Sequence, residues 1–294
     1  MSSKRITWIR LILFVILATA PMIVMSVAMN AEYGWPFWTE APAEAIALCG
    51  VTGMFFPTIA NILTRLFTRE GSKDLYLGFK LRGNGKYYCV TVAVKLAEAI
   101  VTFVLIYLVF LRNLPLDKAF DTSDMSIKLA SLIGGVITYT IICFHAFGEE
   151  FGWRAYMMPK LIKLVGKPWA ILIGGIIWGL WHAPLTVSGH NYGVEYAGFP
   201  YLGIFAMCVM CTLENAFLTL ITERTKTVYP AAIAHGINNS INGMLVMSFF
   251  GGEESIHILE KVEPISATWL LLSVVAVTGI ISFVLFVRKE KKEK

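Results

Sequence analysis

The chain has 294 residues, 56% of them hydrophobic and only 15% charged, with a formal net charge of +5. Soluble domains carry about a quarter charged residues, so this composition excludes an ordinary soluble enzyme and points to an all-α, polytopic membrane protein. The positive excess sits in loops and at both termini, a pattern of membrane topology rather than of a nucleic-acid surface.

Runs of about 20 apolar residues predict eight spans near 8–29, 44–64, 87–111, 127–148, 168–183, 199–221, 229–250 and 266–287. The first follows Lys4, Arg5 and Arg10. Ser26-Val27-Ala28 makes only a weak cleavage site, and the run is long for a signal peptide, so it reads as an uncleaved helix. The fifth run is short. Its Gly174, Gly175 and Gly179 favour close helix packing or tilt. With no long linker and no internal repeat, residues 1–294 read as one membrane domain that ends in a charged tail at 288–294.

Loop charges alternate along this chain order. The 65–86 loop holds Arg65, Arg69, Lys73, Lys80, Arg82 and Lys86. The 149–167 segment holds Arg154, Lys160, Lys163 and Lys167, and the 222–228 loop holds Arg224 and Lys226. The intervening loops at 30–43, 184–198 and 251–265 are acidic, and 112–126 is mixed. Short basic loops stay in the cytoplasm, so both termini are expected there, in the plasma membrane of a prokaryote. The five cysteines lie in apolar segments and give no disulfide framework. Cys208 and Cys211, one turn apart with no second pair, read as core packing rather than zinc ligands.

Three constellations carry chemistry. In "CFHAFGEEFGWRAYM", Glu150 and Arg154 are four apart on one helical face and form an ion pair in the favourable order. Glu149 is rotated off that face and left available, at the expected cytoplasmic end of the fourth helix. In "IIWGLWHAPL", Trp178 precedes His182 by one turn, and Pro184 is expected to push Ala183 out of the helical region and end the helix at His182. In "YPAAIAHGINNSING", Pro230 suits a first turn, and His235 and Asn239 share a face. Asn238 and Asn242 read as helix packing, Lys95 and Glu98 as a mutual pair, and His190 and His257 as solvated loop residues. Glu214 in the sixth run could line a cavity, but nothing in its spacing says so. His145, four residues before Glu149, reads as packing rather than as a ligand.

Grouped round one cavity, Glu149, His182, His235 and Asn239 are the parts of amide hydrolysis without a covalent nucleophile. A carboxylate takes a proton from water and later delivers it to the leaving amine, and donors face the developing oxyanion. Glu149, His182 and His235 could instead hold zinc, and the residue types leave both chemistries open.

"EEFGWR" matches EExxxR, "WGLWH" resembles FxxxH with Trp178 in place of phenylalanine, and "HGINN" matches HxxxN. In this order and spacing the sequence resembles the CPBP family, which comprises CAAX prenyl endopeptidases of the Rce type and bacteriocin-processing or Abi proteins. The likeness covers about 127–250. It implies an eight-helix intramembrane endopeptidase with its active site open toward the cytoplasmic side. By motif position Glu149 would be the base, with Glu150 and Arg154 as neighbours. His182 would help activate water, and His235 with Asn239 would form the oxyanion site. Metal-free chemistry is favoured, with zinc as the alternative. The implied partners are membrane lipids and a peptide or protein substrate, lipidated or carrying a leader. Two rivals use the same polar residues: a proton- or ion-coupled transporter and a non-catalytic scaffold or immunity protein.

Overall fold

The apolar runs fold as helices because a backbone surrounded by hydrocarbon must satisfy its own polar groups. The computed structural model describes residues 3–142, 144–250 and 253–288, so Cys143 and most of the charged tail lie outside the described residues. In chain order the helices are α1 (Ser3–Tyr33), α2 (Phe37–Glu40), α3 (Ala43–Phe67), α4 (Gly85–Ile106), α5 (Leu116–Ala119), α6 (Met125–Ile137) and α7 (His145–Gly152). After them come α8 (Met158–Val165), α9 (Lys167–Trp181), α10 (Ala183–Val187), α11 (Tyr201–Thr225), α12 (Tyr229–Phe249), α13 (Glu253–Leu259) and α14 (Pro264–Arg288). Among the described residues there is no strand.

All eight expected segments are helical, but not all are equally suited to span. Five helices are long and apolar enough by themselves: α1, α3, α4 with the π turn after it, α11 and α14. A sixth span is counted if the bent pair Met125–Ile141 and His145–Val165 is taken as one. Helix α9 is short at 15 residues. Helix α12 has the length, at 21 residues, but its His, Asn and Ser residues lower its apolarity.

The fourth segment departs from the expectation. It does not run as one helix from 127 to 148 and then become a loop. The π turn Thr138–Ile142 ends the first part. A new helix starts at His145 after Phe144, whose φ is +51°. The two arms meet at 42°. The chain stays helical through residues 149–165, beyond the expected end of the fourth span at 148. Their charges are accommodated inside the bundle: Arg154 is fully buried on Glu150, and Lys160 pairs with Glu70 at 2.8 Å.

The bundle has two chemically different ends. At the basic end, Arg10 donates to Thr68 and Tyr156 donates to Glu70, both across helices. Asn84 caps the carbonyl of Thr225, and Lys167 lies 5.1 Å from the Phe286 ring. At the opposite end the Trp35 indole donates to Val187, the Trp38 amide to Ser188, and the Asp121 amide to Phe249. Glu32, Glu40, Glu195, Glu253 and Glu254 belong to that acidic end.

Gly166 (φ +81°) turns α8 back into α9 at the basic end. The two arms of this antiparallel hairpin are nearly equal. Glu149 precedes Gly166 by 17 residues and His182 follows it by 16, each about 25 Å along a helix at 1.5 Å per residue. The hairpin therefore brings the two to one level. The T-shaped contact of Trp153 and Trp181, with centroids 5.8 Å apart, is a rung just below. Helix α9 then packs on α11 through its glycines. A Cβ at Gly175 or Gly179 would collide with the backbone of Thr212 or Cys208.

Candidate active site

Two glycines and two polar side chains on α3 fix α7 in place. A Cβ at Gly148 would sit 2.6 Å from the Met54 carbonyl oxygen, and one at Gly152 would meet the Pro57 backbone. This small-xxx-small spacing lets the backbones touch. Thr58 donates to the Gly148 carbonyl at 2.7 Å and Asn61 to the Phe151 carbonyl at 2.9 Å. Just beyond, the helix loosens into the π turn Trp153–Met157, which carries Arg154. Isolated π turns of this kind recur at functional sites.

Glu149 and Glu150 are both buried but held differently. Glu150 Oε1 accepts from Arg154 Nη1 at 2.9 Å and from His235 Nδ1 at 2.8 Å. Glu149 Oε2 accepts from two indoles, Trp178 Nε1 at 2.6 Å and Trp153 Nε1 at 3.2 Å. Among the described residues it has no ion-pair partner. The Arg154 guanidinium lies 3.9 Å above the Trp178 ring, so Trp178 links the two carboxylates: its N–H binds one while its face meets the other's cation.

The two histidines are also in different settings. His182 caps α9, and its Nδ1 lies 2.9 Å from the Trp178 carbonyl. A carbonyl only accepts, so Nδ1 carries the proton and Nε2 has a free lone pair in the neutral ring. His235 presents Nδ1 to a Glu150 oxygen that also accepts from Arg154, so Nδ1 is again the donor. Its Nε2 donates only when the ring is doubly protonated.

A cavity of about 560 Å³ joins these groups. Glu149, Trp178, His182, His235 and Asn239 all line it, whereas Glu150 and Arg154 lie buried behind it. Methionines from α1, α3 and α11 (Met22, Met54, Met207 and Met210) also line it. Cys211 lines it too, 3.9 Å from His182 Nδ1, and no disulfide joins it to Cys208.

Several expectations need correction. Asn238 and Asn242 line the cavity together with Asn239 rather than only packing helices. His190 is not solvated: it is half-buried in the cavity wall, with its ring 4.2 Å from Trp38 and stacked at 6.5 Å on His182. Ala183 is helical, since Pro184 occupies the first turn of α10, where a missing N–H costs nothing. The helix end at His182 is as expected. Glu214 lines the cavity but is also bound by Lys95 at 2.5 Å.

The cavity lining extends from the middle of the bundle to its acidic end, with Trp38 of α2, His190, Asn191 and Tyr192 in the loop after α10, and Thr268 early in α14. Below Glu149, toward the basic end, Trp153, Tyr156 and Met157 are buried.

Among the described residues no three His, Cys, Asp or Glu side chains are grouped to hold a metal ion.

Residues 131–241 match the family model described as type II CAAX prenyl endopeptidase Rce1-like. The resemblance read from the three motifs is borne out over that segment, which contains Glu149, His182, His235 and Asn239. Curated relatives include the lysostaphin resistance protein A of Staphylococcus haemolyticus (strain JCSC1435), 26% identical over 168 residues, 56% of this chain and 40% of that protein. Another is the protein of the same name from Staphylococcus epidermidis (strain ATCC 12228 / FDA PCI 1200), 29% identical over 167 residues, 56% of this chain and 38% of that protein. The chain therefore spans about two fifths of the length of these relatives. The matched family model describes endopeptidases, and the long apolar helices support an integral membrane protein.

Proposed function

We propose that the chain is an intramembrane endopeptidase in which Glu149 is the general base. One observation carries this reading. Glu149 is a buried carboxylate with no ion-pair partner among the described residues, fixed by two indole N–H groups where His182, His235 and Asn239 share its cavity. Burying a carboxylate without a cation is costly, and general-base chemistry gives that cost a purpose.

In the proposed reaction a water lies between Glu149 and His182. Glu149 takes one proton while the water oxygen bonds to the scissile carbonyl carbon. His182, with Nδ1 pinned on Trp178, orients the water through Nε2. The oxyanion accepts from Asn239 and from Nε2–H of a doubly protonated His235. Glu149 then delivers its proton to the amide nitrogen as the C–N bond breaks, leaving a carboxylate and an amine. Arg154 and Glu150 act through their neighbours as positioning residues. The natural substrate is a peptide or protein, with prenylated and leader-bearing classes both within the family's range. The transporter alternative fits less well, because the cavity is lined from one end and Trp153, Tyr156 and Met157 lie beneath it.

The test is purified protein in detergent with a peptide library, comparing wild type with Glu149→Ala and measuring metal content on the same sample. Cleavage by wild type only supports the reading. Equal cleavage by both, or none by either, removes it. Loss of cleavage on metal depletion would shift the chemistry to a metal-activated water.

A further inference from the structure

Helices α9 and α14 both pack along α11 but scarcely on each other. Glycines draw each of them in. A Cβ at Gly175 or Gly179 of α9 would meet the α11 backbone at Thr212 or Cys208, and one at Gly279 of α14 would sit 2.9 Å from the Leu213 carbonyl oxygen. Close approach of two helices to a third leaves a furrow between them. It holds about 350 Å³, with Thr212 and Ala216 in its floor, Trp169 and Leu172 on the α9 side, and Ile280 and Phe283 on the α14 side. Trp169, Leu172 and Ile280 are exposed, so the furrow faces outward, away from the central cavity. Its surface is apolar: the Thr212 hydroxyl is turned to its own helix and donates to the Cys208 carbonyl at 2.7 Å.

At the basic end of the bundle the furrow finishes beside a cation. Lys167 directly precedes the lining residues Pro168 and Trp169. Its Nζ lies 5.1 Å from the ring of Phe286, three residues past Phe283. Lys163, just across the Gly166 turn, and Arg288, at the end of α14, are both exposed. From Arg288 the sequence reads RKEKKEK, in which basic residues outnumber acidic ones. Basic residues at the end of a span attract anionic lipid, and basic pockets between spans hold its headgroup. Trp169, beside Lys167, is a ring of the kind that anchors at headgroup level.

We propose that the furrow between α9 and α14 binds one anionic phospholipid, with an acyl chain along α11 and the phosphate at Lys167. A second copy of the chain fits less well, because a two-fold contact here would set Lys163, Lys167 and Arg288 against their own copies. The site depends on no chemistry in the central cavity. A lipid seated there braces α9, the helix that carries Trp178 and ends at His182.

The test gives the full chain, purified in detergent, phosphatidylglycerol or phosphatidylcholine with identical acyl chains. Bound lipid is counted by native mass spectrometry, and thermal unfolding is followed on the same samples. One lipid per chain is retained, with phosphatidylglycerol preferred by about fivefold, the effect of one lysine at an anionic headgroup. Lys167→Gln brings the two lipids to near parity, and Lys167→Arg keeps the preference. Leu172→Trp and Ile280→Trp, at exposed positions, fill the furrow and lower retention of either lipid, with unfolding in detergent alone unchanged. Equal retention of the two lipids by wild type, a preference that survives Lys167→Gln, or retention unaffected by the tryptophan variants overturns the site. A dimer that the tryptophan variants abolish while bound lipid stays the same gives the furrow to a second copy instead.

Discussion

Two clusters of buried charge lie within this bundle, and they differ in how completely they are neutralised. In one, Lys95 bridges Glu98 at 2.8 Å and Glu214 at 2.5 Å, and the Thr278 hydroxyl donates to Glu98. Every charged group there has a charged partner. In the other, Glu150 is bound by Arg154 and His235, but Glu149 beside it has only the N–H groups of Trp153 and Trp178. The first cluster ties α4, α11 and α14 together. The second holds one carboxylate ready for a proton. Buried charge in a membrane bundle is therefore not by itself a sign of chemistry. The informative feature is the carboxylate left without a cation.

This contrast can be broken from either side. The largest effect is expected at Glu149. Glu149→Gln keeps shape and hydrogen-bonding capacity but removes the base, and should lower the peptide-cleavage rate by roughly 10²- to 10⁴-fold. Thermal unfolding in detergent should change little. Next is Lys95→Ala, which strands two buried carboxylates and should cost about 3–5 kcal/mol of stability, read by denaturant titration in mixed micelles. Replacing the whole cluster as Lys95→Met, Glu98→Gln and Glu214→Gln should recover most of that loss. Trp178→Phe removes one N–H from Glu149 while retaining a ring over Arg154. A hydrogen bond to a charged group is worth about 1.5–3 kcal/mol, so the rate should fall by about tenfold or more, with intact helix content by circular dichroism.

The smallest effect is expected at the basic end. Burial raises the Glu70 carboxyl, but hydrogen bonds from Lys160 and Tyr156 and the charges of Lys160 and Arg10 outweigh it, leaving its pKa below the ordinary 4.5. A carboxyl lowered on folding stabilises the protein above its unfolded pKa, and that contribution disappears as pH falls through the folded value. Wild type should therefore lose up to about 1 kcal/mol relative to Glu70→Gln as pH drops below about 4.5. Parallel melts of the two proteins between neutral pH and pH 3 would show it.

Much of this arrangement was legible in the sequence. Spacing alone placed Glu150 against Arg154, since four residues is one helical turn. It also separated Glu149 from that pair and set the helix end at His182. The break before His145 was not legible, because hydropathy treats a charge as the edge of a span. Here the charges of 149–160 are matched within the protein by Glu150, Arg154, His235 and Glu70, so the helix continues through them. Gly148 and Gly152 were a readable signal that went unused: two glycines flanking the carboxylate pair one turn apart mark a close helix contact. The role of His190 depended on the fold of the 184–200 loop over the cavity, which no local pattern specifies.

The most direct measurement places both clusters on one footing: turnover of a library-selected peptide and unfolding free energy, determined on the same preparations of wild type, Glu149→Gln and Lys95→Ala. We expect Glu149→Gln to lose turnover at wild-type stability, and Lys95→Ala to lose stability while its folded fraction still cleaves. A Glu149→Gln protein that cleaves at the wild-type rate would contradict the assignment of Glu149 as the base.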